Sequence, residues 1–203
     1  MASTPDFSHE KATGAARVAG VDEAGRGPLA GPVVAAAVIL TPGNIPPGLN
    51  DSKTIAKPRL PALYDAIMAA AEVYVGLASV AEIDSINILR ASHLAMERAL
   101  AGLAPPPDHA LIDGNMLPRG LTLPATAIVK GDARSLSIAA ASIIAKVTRD
   151  RIMVGLAQQH PGYGWEHNAG YPTAAHRKAL QDLGITPHHR RSFRPVHNIL
   201  YQG

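Results

Sequence analysis

The stretch Val18-Ala-Gly-Val-Asp-Glu-Ala-Gly-Arg-Gly-Pro28 decides both the fold and the site. Its first half is an apolar run, which predicts a buried strand, and it leads directly into two adjacent carboxylates, Asp22 and Glu23. Because neighbouring side chains of a strand point to opposite faces, both carboxylates can reach one site only where the strand ends or bends. Gly25 and Gly27 permit that bend and let a bulky ligand approach the backbone. The stretch therefore predicts an acidic site at a strand end.

The length of 203 residues and the composition favour a cytosolic protein of one domain, or of one domain with a substantial appendage. The absence of cysteine excludes disulfides and thiolate zinc sites. The net charge of +3 is only weak support for an anionic partner. No apolar run reaches the roughly 18 residues of a membrane span, and the first 17 residues lack the apolar core of a signal peptide. We therefore expect a cytoplasmic protein without a membrane partner.

The order of apolar segments predicts an α/β sheet that is sandwiched by helices. Strands are expected at residues 18–22, 31–40, 73–80, 110–113 and 125–129. Helices are expected at residues 59–71, 85–103, 136–159 and 173–183. Three regions are expected: a flexible tail over 1–16, a core that carries the sheet over 17–160, and a basic, helical C-terminal portion over 161–203.

Further carboxylates share the setting of the first pair, because each follows an apolar strand and lies beside a glycine. They are Asp113, before Gly114, and Asp132, after Gly131. Carboxylates that converge beyond strand ends would repel one another unless a cation or protons intervened, and Mg²⁺ and Mn²⁺ prefer oxygen ligands. The alternative for either aspartate alone is a turn or cap residue. Asp22 and Glu23 are harder to explain that way, because burying adjacent charges is costly.

Several other residues have both a phosphate-binding and a structural interpretation. Gly25-Arg26-Gly27 is either a hairpin turn with a solvated arginine or a surface that a sugar-phosphate approaches. Tyr171 either stacks on a sugar or base or fixes a loop. The remaining candidates are basic residues, each of which alone is better explained as a surface charge, and serines that could also be caps or small packing residues: Lys53, Lys130, Lys146, Arg149, Ser135, Ser137 and Ser142.

The motifs, taken together, resemble those of ribonuclease HII along nearly the whole chain. The matching segments are Gly20–Val34, Asn50–Lys53, Ile83–Leu89, Leu111–Asn115, Val129–Asp132, Ala140–Asp150, Gly170–Thr173 and His189–Phe193. The resemblance implies a ribonuclease H-like fold, which is a five-stranded mixed sheet flanked by helices with a helical C-terminal extension.

The resemblance also implies a function and a set of site residues. The function is cleavage of the RNA strand in RNA–DNA hybrids, and at single ribonucleotides in duplex DNA, with two Mg²⁺ or Mn²⁺ ions and with 5′-phosphate and 3′-hydroxyl products. The family's four acidic residues fall on Asp22, Glu23, Asp113 and Asp132. Its substrate-binding residues fall on Gly25, Arg26, Gly27, Lys53, Ser142, Lys146 and Tyr171. We expect a monomer whose partners are RNA–DNA hybrids and ribonucleotide-containing duplex DNA.

Two other functions remain open from the sequence. One is a different nuclease on the same fold, which would not require a 2′-hydroxyl. The other is a non-catalytic module that binds hybrids, which the acidic residues disfavour because carboxylates repel phosphate unless a metal lies between them.

Overall fold

A five-stranded mixed sheet forms the centre of the molecule. The computed structural model describes residues 4–201. The strands are β1 (Val18–Ala24), β2 (Val33–Leu40), β3 (Ala71–Ala78), β4 (His109–Asp113) and β5 (Ala125–Ile128). Their order is β3-β2-β1-β4-β5, with β1, β2 and β3 antiparallel in turn and with β4 and β5 parallel to β1. The predicted α/β class and mixed sheet are confirmed.

Seven α-helices and two short 3₁₀ helices surround the sheet within the described residues. The α-helices are α1 (Ser8–Ala12), α2 (Leu60–Ala70), α3 (Val80–Ala101), α4 (Leu136–Gln159), α5 (Trp165–Asn168), α6 (Ala174–Leu183) and α7 (Arg194–Tyr201). The 3₁₀ helices are Lys57–Arg59 and Gly131–Ala133. Four predicted helices are present, whereas the short α1, α5 and α7 were not predicted. Among these helices, none combines the length and apolar composition that crossing a membrane requires.

Both faces of β1 and β2 are covered, as their uninterrupted apolar runs predict. Helix α3 packs on one face, and α2 and α4 pack on the other. Gly20 marks the crossing of β1 and α4, since a Cβ there would lie 2.1 Å from the backbone carbon of Ser137. The close approach of these two backbones brings the end of β1 directly against α4, where several site residues lie.

Helix α3 begins earlier than the predicted residue 85. Ser79 caps it and forms a capping box with Glu82, so the helix starts at Val80. The helical path is interrupted at Asn87, which has a φ of 66°. This interruption is why the regular spacing of apolar residues begins only after it. After the interruption, His93, Met96 and Leu100 recur at helical spacing and are buried.

The N-terminal segment differs from the flexible tail that the sequence predicts for residues 1–16. Residues 1–3 lie outside the described part, but α1 packs on the domain and Glu10 is buried. The Glu10 carboxylate accepts hydrogen bonds from the Ser135 hydroxyl at 2.6 Å and from the Ser137 amide at 2.9 Å. An anion at the start of α4 is favoured by the unpaired amides and the helix dipole. Ser135 and Ser137 therefore bind Glu10, in place of the phosphate considered from the sequence.

The C-terminal portion forms its own apolar cluster against the loop that joins β1 to β2. Trp165, Leu180 and Val196 contact Leu29 and Ala30 of that loop in this cluster. The loop carrying the Gly-Arg-Gly sequence is therefore packed between the end of the sheet and the C-terminal helices.

Candidate active site

Three aspartates meet at one edge of the sheet. Asp22 lies near the end of β1, Asp113 ends β4, and Asp132 lies in the 3₁₀ helix after β5. Because these three strands are parallel neighbours, their carboxyl ends lie at the same edge. One carboxylate oxygen from each aspartate lies within 4.8 Å of the others. The sequence prediction that these strand-end carboxylates converge is confirmed.

Backbone amides fix two of the carboxylates. Asp113 accepts a hydrogen bond of 2.7 Å from the Gly131 amide, which ties the end of β4 to the turn that carries Asp132. Asp22 accepts one of 2.7 Å from the Glu23 amide. The arrangement is therefore set by the backbone before any ligand binds.

The electrostatics of this acidic trio favour a bound cation. Burial raises the pKa of Asp22 well above its usual value, and repulsion from Glu23 and Asp113 raises it further. Burial and repulsion from Asp113 and Asp51 also raise the pKa of Asp132. The three donors are all carboxylate oxygens, which are the ligands that hard divalent cations such as Mg²⁺ and Mn²⁺ prefer. The acidic trio therefore fits a metal ion.

Lys53 is the basic residue beside the acidic trio. Its ammonium lies 3.5 Å from an Asp132 oxygen and 3.8 Å from an Asp51 oxygen. Burial alone would lower its pKa, but Asp51, Asp132 and Asp22 together raise it, so the side chain stays charged. Its side chain is 78% exposed, and a single exposed lysine leaves most of the negative charge of the trio uncompensated.

Glu23 lies outside the group of three oxygens, although the sequence predicts four converging carboxylates. It lines a small cavity on the other side of Asp113, together with Arg26, His93 and Asn115. Burial raises its pKa and Asp113 adds to the rise, while Arg26 at 3.3 Å opposes it. Adjacent residues of a strand face opposite ways, which explains why Asp22 and Glu23 approach Asp113 from two sides.

The two glycines of the Gly-Arg-Gly sequence differ in what they contact. Gly25 has a φ of +97°, and a Cβ there would lie 2.0 Å from Nε of Arg149. At Gly27 the nearest atom to such a Cβ would be Cε1 of Tyr171, at 3.6 Å. Gly25 is therefore required by the fold, whereas Gly27 leaves open backbone beside a tyrosine whose surface is 46% exposed.

Two buried arginines hold the loop through its carbonyl groups. Arg190 donates to the carbonyl oxygens of Gly25 at 2.6 Å, of Arg26 at 2.9 Å and of Gly31 at 3.0 Å. Arg149 donates to those of Ala30, Pro32 and Ala169 at 2.9 to 3.1 Å. Burial lowers the pKa of Arg190 to about 9 and that of Arg149 to about 10.

The hydrogen bonds of Arg190 to the loop carbonyls determine which way the neighbouring loop amides point. In a trans peptide the carbonyl and the following amide point in opposite directions. Because the Gly25 and Arg26 carbonyls point at Arg190, the amides of Arg26 and Gly27 point away from it. Within residues 4–201 neither amide has a hydrogen-bond acceptor. Sequence reasoning considered Arg149 as a phosphate contact or a surface charge and did not single out Arg190, because no local pattern marks an arginine that binds distant carbonyls.

The remaining predicted residues lie along α4. Ser142 is buried and shares a 2.9 Å hydrogen bond with the Ser52 hydroxyl, close enough to Asp22 to oppose the rise of its pKa. Lys146 follows one turn later and donates to Asp150 at 2.6 Å. Lys146 lines a groove between α2, α4 and α5, together with Lys57 and Arg151. These two residues lie one turn apart on α4, with Ser142 beside Asp22 and Lys146 at this groove.

Comparison with known proteins places this geometry in a family. The sequence profile described as Ribonuclease HII matches residues 19–196. The chain belongs to the ribonuclease HII family. It is therefore a hydrolase of the ribonuclease H class, and this membership supports endoribonuclease activity on RNA–DNA hybrids.

Similar proteins extend over nearly all of the chain. Ribonuclease HII of Ruegeria pomeroyi is 67% identical over 98% of this chain and 86% of its own length. Ribonuclease HII of Paracoccus denitrificans is 68% identical over 97% of this chain and 95% of its own. The crystal structure of ribonuclease H2 from Pyrococcus horikoshii OT3 superposes with a TM-score of 0.76, at 29% identity, over 92% of this chain and 98% of that one. The predicted family and ribonuclease H-like fold are confirmed.

Proposed function

We propose that this member of the ribonuclease HII family cuts both RNA–DNA hybrids and duplex DNA that contains a single ribonucleotide, with Mg²⁺ or Mn²⁺ bound at the acidic trio. The observation that carries the proposal is the juxtaposition of three oxygen donors with an open glycine backbone and an exposed tyrosine. The first feature suits a metal ion, and the other two suit a ribose.

Asp22, Asp113 and Asp132 would hold the metal, and Glu23 would complete the site from the far side of Asp113. One or two bound divalent ions would supply an activated water and neutralise the charge on the leaving oxygen, giving 5′-phosphate and 3′-hydroxyl ends. Arg26 keeps the Glu23 carboxylate in place, and Lys53 balances charge at Asp132.

The Gly-Arg-Gly loop would recognise the ribose. The free amides of Arg26 and Gly27 are suited to donate to a 2′-hydroxyl, the group that distinguishes RNA from DNA. The Tyr171 ring lies beside Gly27 and would stack on the adjoining sugar. Lys146 would contact phosphate along the α4 groove, while the buried Ser142 would act through its hydrogen bond to Asp22.

The test compares three duplexes in Mg²⁺: a long RNA–DNA hybrid, DNA with one ribonucleotide, and all-DNA. We expect wild-type cleavage of the first two only, and a loss of at least about a hundredfold in Asp22→Asn, of the size seen when a preorganised electrostatic contact is removed. Asp65→Asn is the matched control, because Asp65 is an exposed residue of α2 whose nearest ion pair is 3.9 Å long. Equal cutting of all-DNA duplex, or near-normal turnover by Asp22→Asn, would contradict the proposal.

A further inference from the structure

Two buried histidines form a hydrogen-bonded chain behind the site. Nε2 of His176 lies 3.2 Å from Nε2 of His189 and accepts a 3.0 Å hydrogen bond from Nε1 of Trp165. Nδ1 of His176 lies 3.0 Å from the carbonyl oxygen of Tyr171. Nδ1 of His189 accepts from the Thr186 amide at 2.9 Å. The chain thus runs from Thr186 through both imidazoles to Tyr171.

The partners at the two ends fix where each proton lies. The indole of Trp165 and the amide of Thr186 can only donate, so the ring nitrogens that face them are acceptors. The proton of His176 is then on Nδ1, pointing at the Tyr171 carbonyl, and that of His189 is on Nε2, pointing at His176. Burial lowers the pKa of both rings, that of His189 to about 3, and His160 and His188 nearby disfavour a further positive charge. Both imidazoles are neutral, and each hydrogen bond has one donor and one acceptor.

Tyr171 depends on its backbone for its position. Its carbonyl accepts from His176 and from the Thr173 amide, and its own amide donates to Asn168. In the described part of the chain its hydroxyl has no hydrogen-bond partner, and the side chain is about half exposed. The direction of the ring towards Gly27 is therefore set by the main chain at residue 171.

We propose that His176, oriented by His189 and Trp165, is a positioning residue that fixes the Tyr171 backbone and so places the ring against the substrate. The inference rests on the proposed contact of Tyr171 with the sugar. His176 itself touches no substrate in this scheme. Two imidazoles and an indole are buried together, 5 to 18 residues from the tyrosine in sequence. Apolar side chains would be sufficient if these positions only filled the core, so the hydrogen-bonded chain gives the polar rings a role.

Two substitutions at His176 separate positioning from packing. Asparagine can place its amide near the Nδ1 position and still donate to Tyr171. Glutamine can reach the Nε2 position and still accept from Trp165 and His189, but it leaves the tyrosine carbonyl without this donor. We expect His176→Gln to raise KM for the single-ribonucleotide duplex about fivefold, the equivalent of one hydrogen bond, and His176→Asn to raise it less than twofold. Thermal unfolding is measured for both variants.

A double-mutant cycle with Tyr171→Ala completes the test, because a residue that acts through Tyr171 should lose its effect on KM when the ring is absent. Equal effects of the two substitutions, or an undiminished effect in the Tyr171→Ala background, would overturn the inference. If His176→Gln does not fold, Trp165→Phe is tested in its place. This variant removes the indole donor that fixes the His176 tautomer, and an unchanged KM would then overturn the inference. Failure of the wild type to cut this duplex would instead contradict the proposed function.

Discussion

Removing one charge from the acidic trio should make the metal-free protein more stable. Asp22→Asn keeps an oxygen that can accept the Glu23 amide but removes a negative charge within 4.8 Å of two others. At that separation each pair of charges repels by about 3.5 kcal/mol at an effective dielectric of about 20 and by about 0.9 kcal/mol in water. Partial protonation already relieves some of this repulsion, because the pKa of Asp22 and that of Asp132 are raised. We expect a net gain of about 1–3 kcal/mol.

The gain in stability of Asp22→Asn over the wild type should become smaller at low pH and in the presence of Mg²⁺. A raised folded-state pKa means that the native protein takes up protons before the unfolded chain does, so the repulsion is largest above the raised pKa and disappears as pH falls through it. The stability difference between Asp22→Asn and wild type should therefore shrink as pH falls from 8 towards 4. Mg²⁺ should stabilise the wild type and have little effect on the variant.

Thermal and urea unfolding in chelator, with and without added Mg²⁺, measure this difference. Each kcal/mol should move the unfolding midpoint by ~2–4 °C in a chain of this length. Asp65→Asn controls for the loss of an exposed charge and should match the wild type. A variant that is less stable than the wild type in chelator at pH 8, with an unchanged control, would refute the reasoning, because it would mean that the Asp22 carboxylate is held favourably without a cation.

Two further predictions concern the loop and the N-terminal helix. Gly25→Ala should cost about 2 kcal/mol or more of stability, because Gly25 has a positive φ and a Cβ there would clash with Arg149. Gly27→Ala should change stability by less than about 0.5 kcal/mol but should reduce cleavage of ribonucleotide-containing duplex. Equal unfolding midpoints for the two variants would contradict this difference between the glycines. Glu10→Ala should cost about 2 kcal/mol of stability, because it removes the acceptor for the serine hydroxyls and the amide at the start of α4. Glu10→Gln retains an acceptor and should cost less, and both variants should keep wild-type turnover at 25 °C. Lost turnover in a folded variant would show that Glu10 acts on the site.

The sheet and the acidic trio could be predicted because their signals are local. An apolar run, an aspartate and a glycine recur at the ends of three strands, and parallel strands bring such ends together. The sequence did not separate Glu23 from the trio, since the position of the bend after β1 depends on how the loop is held. Helix α3 was predicted to start late because Asn87 interrupts its spacing, although the Ser79 and Glu82 capping box was readable.

The rest of the site depends on contacts between distant residues. Glu10 meets Ser135 across 125 positions, and Arg190 meets the carbonyl of Gly25 across 165. A buried arginine that binds only carbonyl groups has no periodicity and no paired acid to indicate it. His176 and His189 are buried and hydrogen-bonded to each other, and no local pattern in the sequence distinguishes them from the other histidines of the last 44 residues.

The position of Arg190 has a consequence for the newly made chain. All three aspartates of the trio have been synthesised by residue 132, whereas the guanidinium that orients the Gly25 and Arg26 carbonyls is added 58 residues later. A nascent or prematurely ended chain that stops between these points has every acidic group of the candidate metal site but lacks the arginine that braces the Gly-Arg-Gly loop. The order of synthesis thus delays the bracing of the Gly-Arg-Gly loop until the domain is nearly complete.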